Sequence, residues 1–113
     1  MAGFVKGDVV IVPFPFSELT QTKRRPALVI AKLQGDDLIL CQITSKSVGD
    51  IYAIQLDNSD FSYGRLNQQS NIRPNRIFTA DKQIVLYQAG QIKPEKLIEV
   101  INKVIEIIQY SSL

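Results

Sequence analysis

The sequence predicts a mainly β domain, a small barrel or two packed sheets, followed by one C-terminal helix. Three observations predict it. Short apolar runs recur between turn signals as far as Gly90, and the hydrophobic period then changes to that of a helix. A length of 113 residues suits one core, so the chain reads as a single domain, residues 1–113.

Residues 7–14, GDVVIVPF, are a β-branched run with apolar residues on both faces, the pattern of a buried strand. Pro13 and Pro15 cannot continue a sheet interior, so residues 13–24 read as a loop, long enough to suggest a function. PALVIAKL, residues 26–33, is the second strand, and a GDD turn leads from it into LILCQITS, residues 38–45. IYAIQL, residues 51–56, is a fourth strand. The polar stretch 57–69 is a connection with room for a short edge strand. SNIRPNRIFTA, residues 70–80, is a strand interrupted at Pro74, which marks an edge or a bulge. QIVLYQAG, residues 83–90, completes the β part. Leu97, Ile98, Ile101, Val104, Ile105 and Ile108 then follow the stripe of an amphipathic helix over residues 94–109. Pro94 suits its first turn and Glu95 the positive end of its dipole, while Glu99–Lys103 is an i,i+4 pair of favoured orientation. The helix should cap one end of the barrel or lie across it.

Composition excludes much. Thirteen basic and eleven acidic residues leave a net charge of only +2, but their distribution is uneven. Between Glu18 and Asp36 stand Lys23, Arg24, Arg25 and Lys32 with no acid among them. The chain has no histidine, so Ser-His-Asp and Cys-His pairs are impossible and a conventional zinc site is not expected. A single cysteine excludes an internal disulfide and a CxxC site, and Cys41, mid-strand, reads as a small core residue. The glycines are scattered and form neither a phosphate-cradling loop nor a dinucleotide fingerprint. The chain opens without a signal-peptide pattern and lacks the roughly eighteen apolar residues of a membrane span, so a cytosolic domain is expected.

What remains is arginine. Arg24 and Arg25 end one loop, and Arg73 and Arg76 flank Pro74 elsewhere in the chain. Guanidinium forks match phosphate oxygens and keep their charge at ordinary pH. Brought together, the two clusters would receive a polyanion or stabilise a pentacoordinate phosphorus. Left apart, they are ordinary solvated charges.

GDVVIVPFPF, then KRRPALVIA after a variable loop, then QITS, then IRPNRIFTADKQIV and a terminal helix resemble the MazF/PemK family of toxin–antitoxin ribonucleases. The resemblance is collinear from about Lys6 to Ile108. It implies an SH3-like barrel of MazF/CcdB type with an added helix, working as a homodimer. It also implies a metal-independent, cofactor-free endoribonuclease that cuts single-stranded RNA at particular sequences, leaving 2′,3′-cyclic phosphate and 5′-hydroxyl ends. A cognate antitoxin protein would neutralise it.

Carried over position by position, the arginine before the second strand's proline is Arg25 and the threonine of the "IT" pair is Thr44. In the PemK branch an Arg-x-Asp pair acts as acid and base. The arginine matches Arg73, but Asn75 stands at the acid's position, and an amide cannot take a proton as a carboxylate can. Arg25 would stabilise the phosphorane and Thr44 would hydrogen-bond a phosphate oxygen or orient the 2′-hydroxyl. Glu18 is the first candidate for the general base and Asp81 the second, with substrate alignment alone as a third route. Lys23, Arg24, Lys46, Asn75 and Arg76 would bind RNA. Phe14, Phe16 and Tyr63 are placed to stack on bases, although Pro-Phe alternation favours Phe14 and Phe16 as staples of the loop to the core. Two alternatives remain: a CcdB-like toxin of the same fold that poisons gyrase, and a non-catalytic RNA-binding module.

Overall fold

Seven antiparallel strands join into one sheet in the computed structural model, which describes residues 3–15, 22–46 and 49–110. In chain order they are β1 (Asp8–Pro15), β2 (Thr22–Lys32), β3 (Asp37–Thr44), β4 (Ile54–Leu56), β5 (Phe61–Gly64), β6 (Ser70–Asp81) and β7 (Tyr87–Ile92), and the helix α1 (Pro94–Tyr110) follows. The spatial order is β4–β6–β3–β2–β1–β7–β5. Leu56 of one edge strand and Phe61 of the other belong to the same buried cluster, so the sheet is curled until its two edges share a core.

The two faces of the sheet carry separate clusters. On one, Val9, Leu28, Cys41, Ile43, Ile72 and Ile92 pack with Val100 of α1, and Leu97 and Val104 of the helix close over them. The helix therefore lies across the sheet. On the other, Val10, Val12, Ala27, Val29, Leu38 and Leu40 are buried, with Phe14 and Phe78 set edge to face at 5.2 Å. The curl also brings β5 close to β7 at the paired Gly64 and Gly90. A Cβ on Gly64 would strike the Ala89 carbonyl oxygen and one on Gly90 the Tyr63 carbonyl oxygen, which leaves only glycine room there.

Several expected boundaries move, each for a local reason. Residues 22–24, read as loop, extend β2 and pair with β1 through Pro13↔Arg24 and Phe14↔Lys23. Pro13 and Pro15 are tolerated because β7 pairs with β1 only from Asp8 to Ile11, so beyond that point one side of β1 has no ladder to interrupt. The β2–β3 ladder likewise ends at Ala27↔Gln42, next to Pro26, which has no N–H to give. Strand β4 is shortened because the Asp50 carboxylate accepts from the Tyr52 N–H at 2.9 Å, an Asx turn that competes with strand pairing. Residues 82–84 form a 3₁₀ turn rather than strand, capped by Asp81 accepting from Gln83 N–H at 2.8 Å. On α1 the expected Glu99–Lys103 pair is replaced by Lys96–Glu99 at 3.1 Å and Lys103–Glu106 at 3.4 Å. The interruption at Pro74 is a bulge.

Candidate active site

The β3–β6 ladder sets the geometry. Cys41 pairs with Ile77, but the next residue of β3, Gln42, pairs with Arg73. One step on β3 is thus matched by four on β6, and residues 74–76 bulge out. Side chains alternate faces along a strand, so an odd number of inserted residues reverses which β6 side chains share a face with β3. Without the bulge, the register at Cys41↔Ile77 would put Arg76 opposite Gln42 and Pro74 opposite Thr44. With it, Arg73 stands opposite Gln42 and Asn71 opposite Thr44, while Ile72 turns into the helix-covered core.

Arg25 reaches the same face from β2. It pairs with Val12, and Ala27, two residues on, pairs with Gln42. Continuing that register by two residues sets Arg25 across from Thr44. Arg25, Thr44 and Arg73 therefore share the face that also carries Gln42 and Asn71, at the polar end of the Val10–Leu40 cluster. Lys23, two residues before Arg25 and paired with Phe14, points to this face too.

Thr44 is buried, and its Oγ1 accepts from the Lys46 N–H at 3.2 Å. That bond occupies a lone pair and leaves the hydroxyl hydrogen to donate elsewhere. The Lys46 carbonyl accepts from Asn71 Nδ2 at 3.4 Å, which ties the turn after β3 to β6. Arg73 donates from Nη2 to Asp50 Oδ2 at 3.1 Å, with both side chains mostly buried, at 18% and 10% exposure. The Arg73 Nε is buried and makes no hydrogen bond among the described residues. Asp50 was not legible as a site residue. It sits in a polar connection without periodicity, and only the missing acid at Asn75 hints that a carboxylate should come from elsewhere. Its carboxyl is held below the usual range, first by the Tyr52 N–H, against desolvation, and then by Arg73 and the Asn75 amide.

The other expected residues divide. Asn75 and Arg76 lie in the exposed bulge. Arg24 faces the opposite way from Arg25 and lines a cleft of about 300 Å³ with Pro26, Ser45, Leu66 and Ser70. Asp81 is removed from the site: it pairs with Asp37 at the far end of the β3–β6 ladder, about 20 Å from Thr44 at the rise of a strand, and it caps a turn. Phe14 staples β1 to the second cluster. Tyr63 sits on β5, half exposed, with its hydroxyl accepting from Gln88 Nε2 at 2.7 Å. Glu18 and Phe16 lie outside the described residues.

A curled sheet with two guanidinium groups and a hydroxyl on one face presents donors of the kind that match an anion's oxygens. The sequence model of the PemK-like, MazF-like toxins of type II toxin–antitoxin systems matches residues 5–108, and the chain belongs to that family. No curated protein sequence matches it significantly. Among solved structures it is similar to a MazE–MazF crystal structure from Deinococcus radiodurans, with a TM-score of 0.75 and 20% identity over 97% of this chain and 100% of that one. It is also similar to an endoribonuclease from a mycobacterial species in complex with its cognate antitoxin, at TM-score 0.73 and 11% identity over 98% and 100% of the two chains. The Mycobacterium tuberculosis toxin MazF-mt6 matches at TM-score 0.66 and 16% identity, over 91% and 99%. These likenesses establish the MazF fold. No helix among the described residues is long and apolar enough to cross a membrane.

Proposed function

We propose that the protein is a cytoplasmic, sequence-specific endoribonuclease toxin that cleaves single-stranded RNA without a metal ion and is restrained by a cognate antitoxin. The observation that carries this reading is the three-residue bulge of β6, which puts Arg73 on the face shared by Arg25 and Thr44. In the reaction, the ribose 2′-oxygen forms a bond to phosphorus as the bond to the 5′-oxygen breaks. A proton leaves the 2′-hydroxyl and another arrives on the departing 5′-oxygen, giving a 2′,3′-cyclic phosphate and a 5′-hydroxyl. Arg25 stabilises the negative charge that develops on the phosphorane. Thr44, whose acceptor side is engaged by Lys46, donates to a phosphate oxygen. Arg73 supplies the second cation, and Lys23 and Arg76 draw in the RNA backbone.

The protein acts as a homodimer in this reading. Ile98, Ile105 and Ile108 on α1 are exposed by half or more, apolar surface that a second subunit would cover. The antitoxin assignment is supported by the family and by the neighbouring MazE–MazF structure.

The test is incubation of purified protein with a long single-stranded RNA in EDTA. Wild type should cut it to 5′-hydroxyl ends. Arg25→Ala should lose about 10²–10³-fold in rate, the cost of an oxyanion-type donor. Thr44→Ala should lose about 10- to 100-fold, the worth of one hydrogen bond to a charged group. Intact RNA with wild type, together with inhibited gyrase, would move the protein to a different target.

A further inference from the structure

The carboxylate missing from position 75 has a counterpart in space. Asp50, from the connection between β3 and β4, meets the Arg73 guanidinium at 3.1 Å and is itself fixed by the Tyr52 N–H at 2.9 Å. The Asn75 amide also helps to hold that carboxyl below its usual range. The arginine that resemblance pairs with an acid at position 75 is thus paired with an acid supplied by another segment. The consequence is mechanical. An arginine carries roughly 2 kcal/mol of rotamer entropy, and a guanidinium anchored through one nitrogen presents the rest in a fixed plane.

We propose that Asp50 is a positioning residue for RNA cleavage, holding the Arg73 guanidinium on the face that carries Thr44 and Arg25. This role rests on the nuclease reading above. Asp50 acts through Arg73 and need not touch the RNA. Its carboxylate is already engaged by Tyr52 and Arg73, which suits an anchor better than a general base. The arrangement also accounts for Asn75: an amide can donate to the Asp50 carboxylate, whereas a second carboxylate there would repel it.

The experiment compares single-turnover cleavage of one long single-stranded RNA in EDTA by wild type, Asp50→Asn, Arg73→Ala, the D50N/R73A double variant and the D50N/N75D double variant, with thermal melting of each. Asp50→Asn should slow the bond-breaking step by roughly one to two orders of magnitude, the scale of a misplaced catalytic group. Its affinity for a non-cleavable 2′-deoxy oligonucleotide should change far less. In the Arg73→Ala background Asp50→Asn should cost nothing further, because there is no guanidinium left to hold. D50N/N75D restores a carboxylate beside Arg73 and should recover most of the rate lost by D50N. That recovery would not follow if Asp50 served folding alone. Cleavage by D50N within twofold of wild type, additive losses with R73A, or no recovery in a D50N/N75D protein that melts as wild type does would each overturn the role while leaving the nuclease reading intact. No cleavage by wild type would overturn the nuclease reading and this role with it.

Discussion

The two faces of the β2–β3–β6 region are built from the same three strands and do different work. On the helix-covered face, Leu28, Cys41, Ile43 and Ile72 are wholly buried beneath Val100. On the other, Gln42 and Thr44 alternate with Cys41 and Ile43, Arg73 adjoins Ile72, and Arg25 lies two residues before Ala27 on the same side of β2. Strand alternation alone produces this division on β2 and β3, whose ladder is regular from Ala27↔Gln42 to Val29↔Leu40 and shifts only beyond Val29. On β6 it needs the bulge, because an uninterrupted strand would have sent Arg73 inward and Ile72 outward. The site is a matter of parity: one odd insertion at Pro74 decides whether the Arg73 guanidinium shares the Thr44 face or enters the helix-covered core.

The severest way to break that division is to restore even parity. Deleting Asn75 leaves two bulged residues and reverses every β6 side chain before it, burying the Arg73 charge and exposing Ile72. A loss of more than about 4 kcal/mol is expected, seen as a failure to fold or a collapse of denaturant midpoint, since an unpaired charge in the core is among the costliest single changes. A smaller effect follows from injuring the core face alone. Leu28→Ala should cost about 2–5 kcal/mol in urea unfolding, yet the folded fraction should cut RNA at the wild-type rate. Equal losses of stability and of rate per folded molecule would show that the faces are not independent.

A further effect appears only in alkali. Burial pushes the Cys41 thiol up from 9.0 to about 12. A raised value in the folded state contributes stability that is whole below the unfolded value near 9 and is lost as the pH rises through about 12. Wild type should therefore lose stability more steeply than Cys41→Ala over that window, by up to about 1.4 kcal/mol per pH unit. Asp50 has the opposite sign. Its lowered value gives stability present above the ordinary carboxylate range and lost as the pH falls through the folded value, so Asp50→Asn should flatten the acid limb.

Much of this was legible in the sequence where periodicity operates. The strand runs appear in the expected order with their ends moved, and the change of period at Pro94 and the break at Pro74 appear where expected, because each rests on side-chain spacing or on a proline's missing donor. What the spacing does not carry is the count of bulged residues, which depends on how β3 and β6 meet and which places Arg73. Nor does it carry Asp50, whose role is defined by a partner twenty-three positions away. The extension of β2 through Arg24 escaped for a similar reason: a proline forbids a ladder only on the side where a neighbour exists, and that side is known only once β7 is placed.

Consecutive arginines on opposite faces supply the most direct test. The same RNA is incubated in EDTA with Arg24→Ala and with Arg25→Ala, and initial cleavage rates are compared at equal folded concentration. Arg24, in the cleft behind the sheet, should behave as a surface residue and change the rate by no more than about twofold, or 0.5 kcal/mol. Arg25→Ala should leave the RNA essentially whole. Equal rates for the two variants, or loss confined to Arg24→Ala, would contradict the assignment of the reaction to the face shared by Arg25, Thr44 and Arg73.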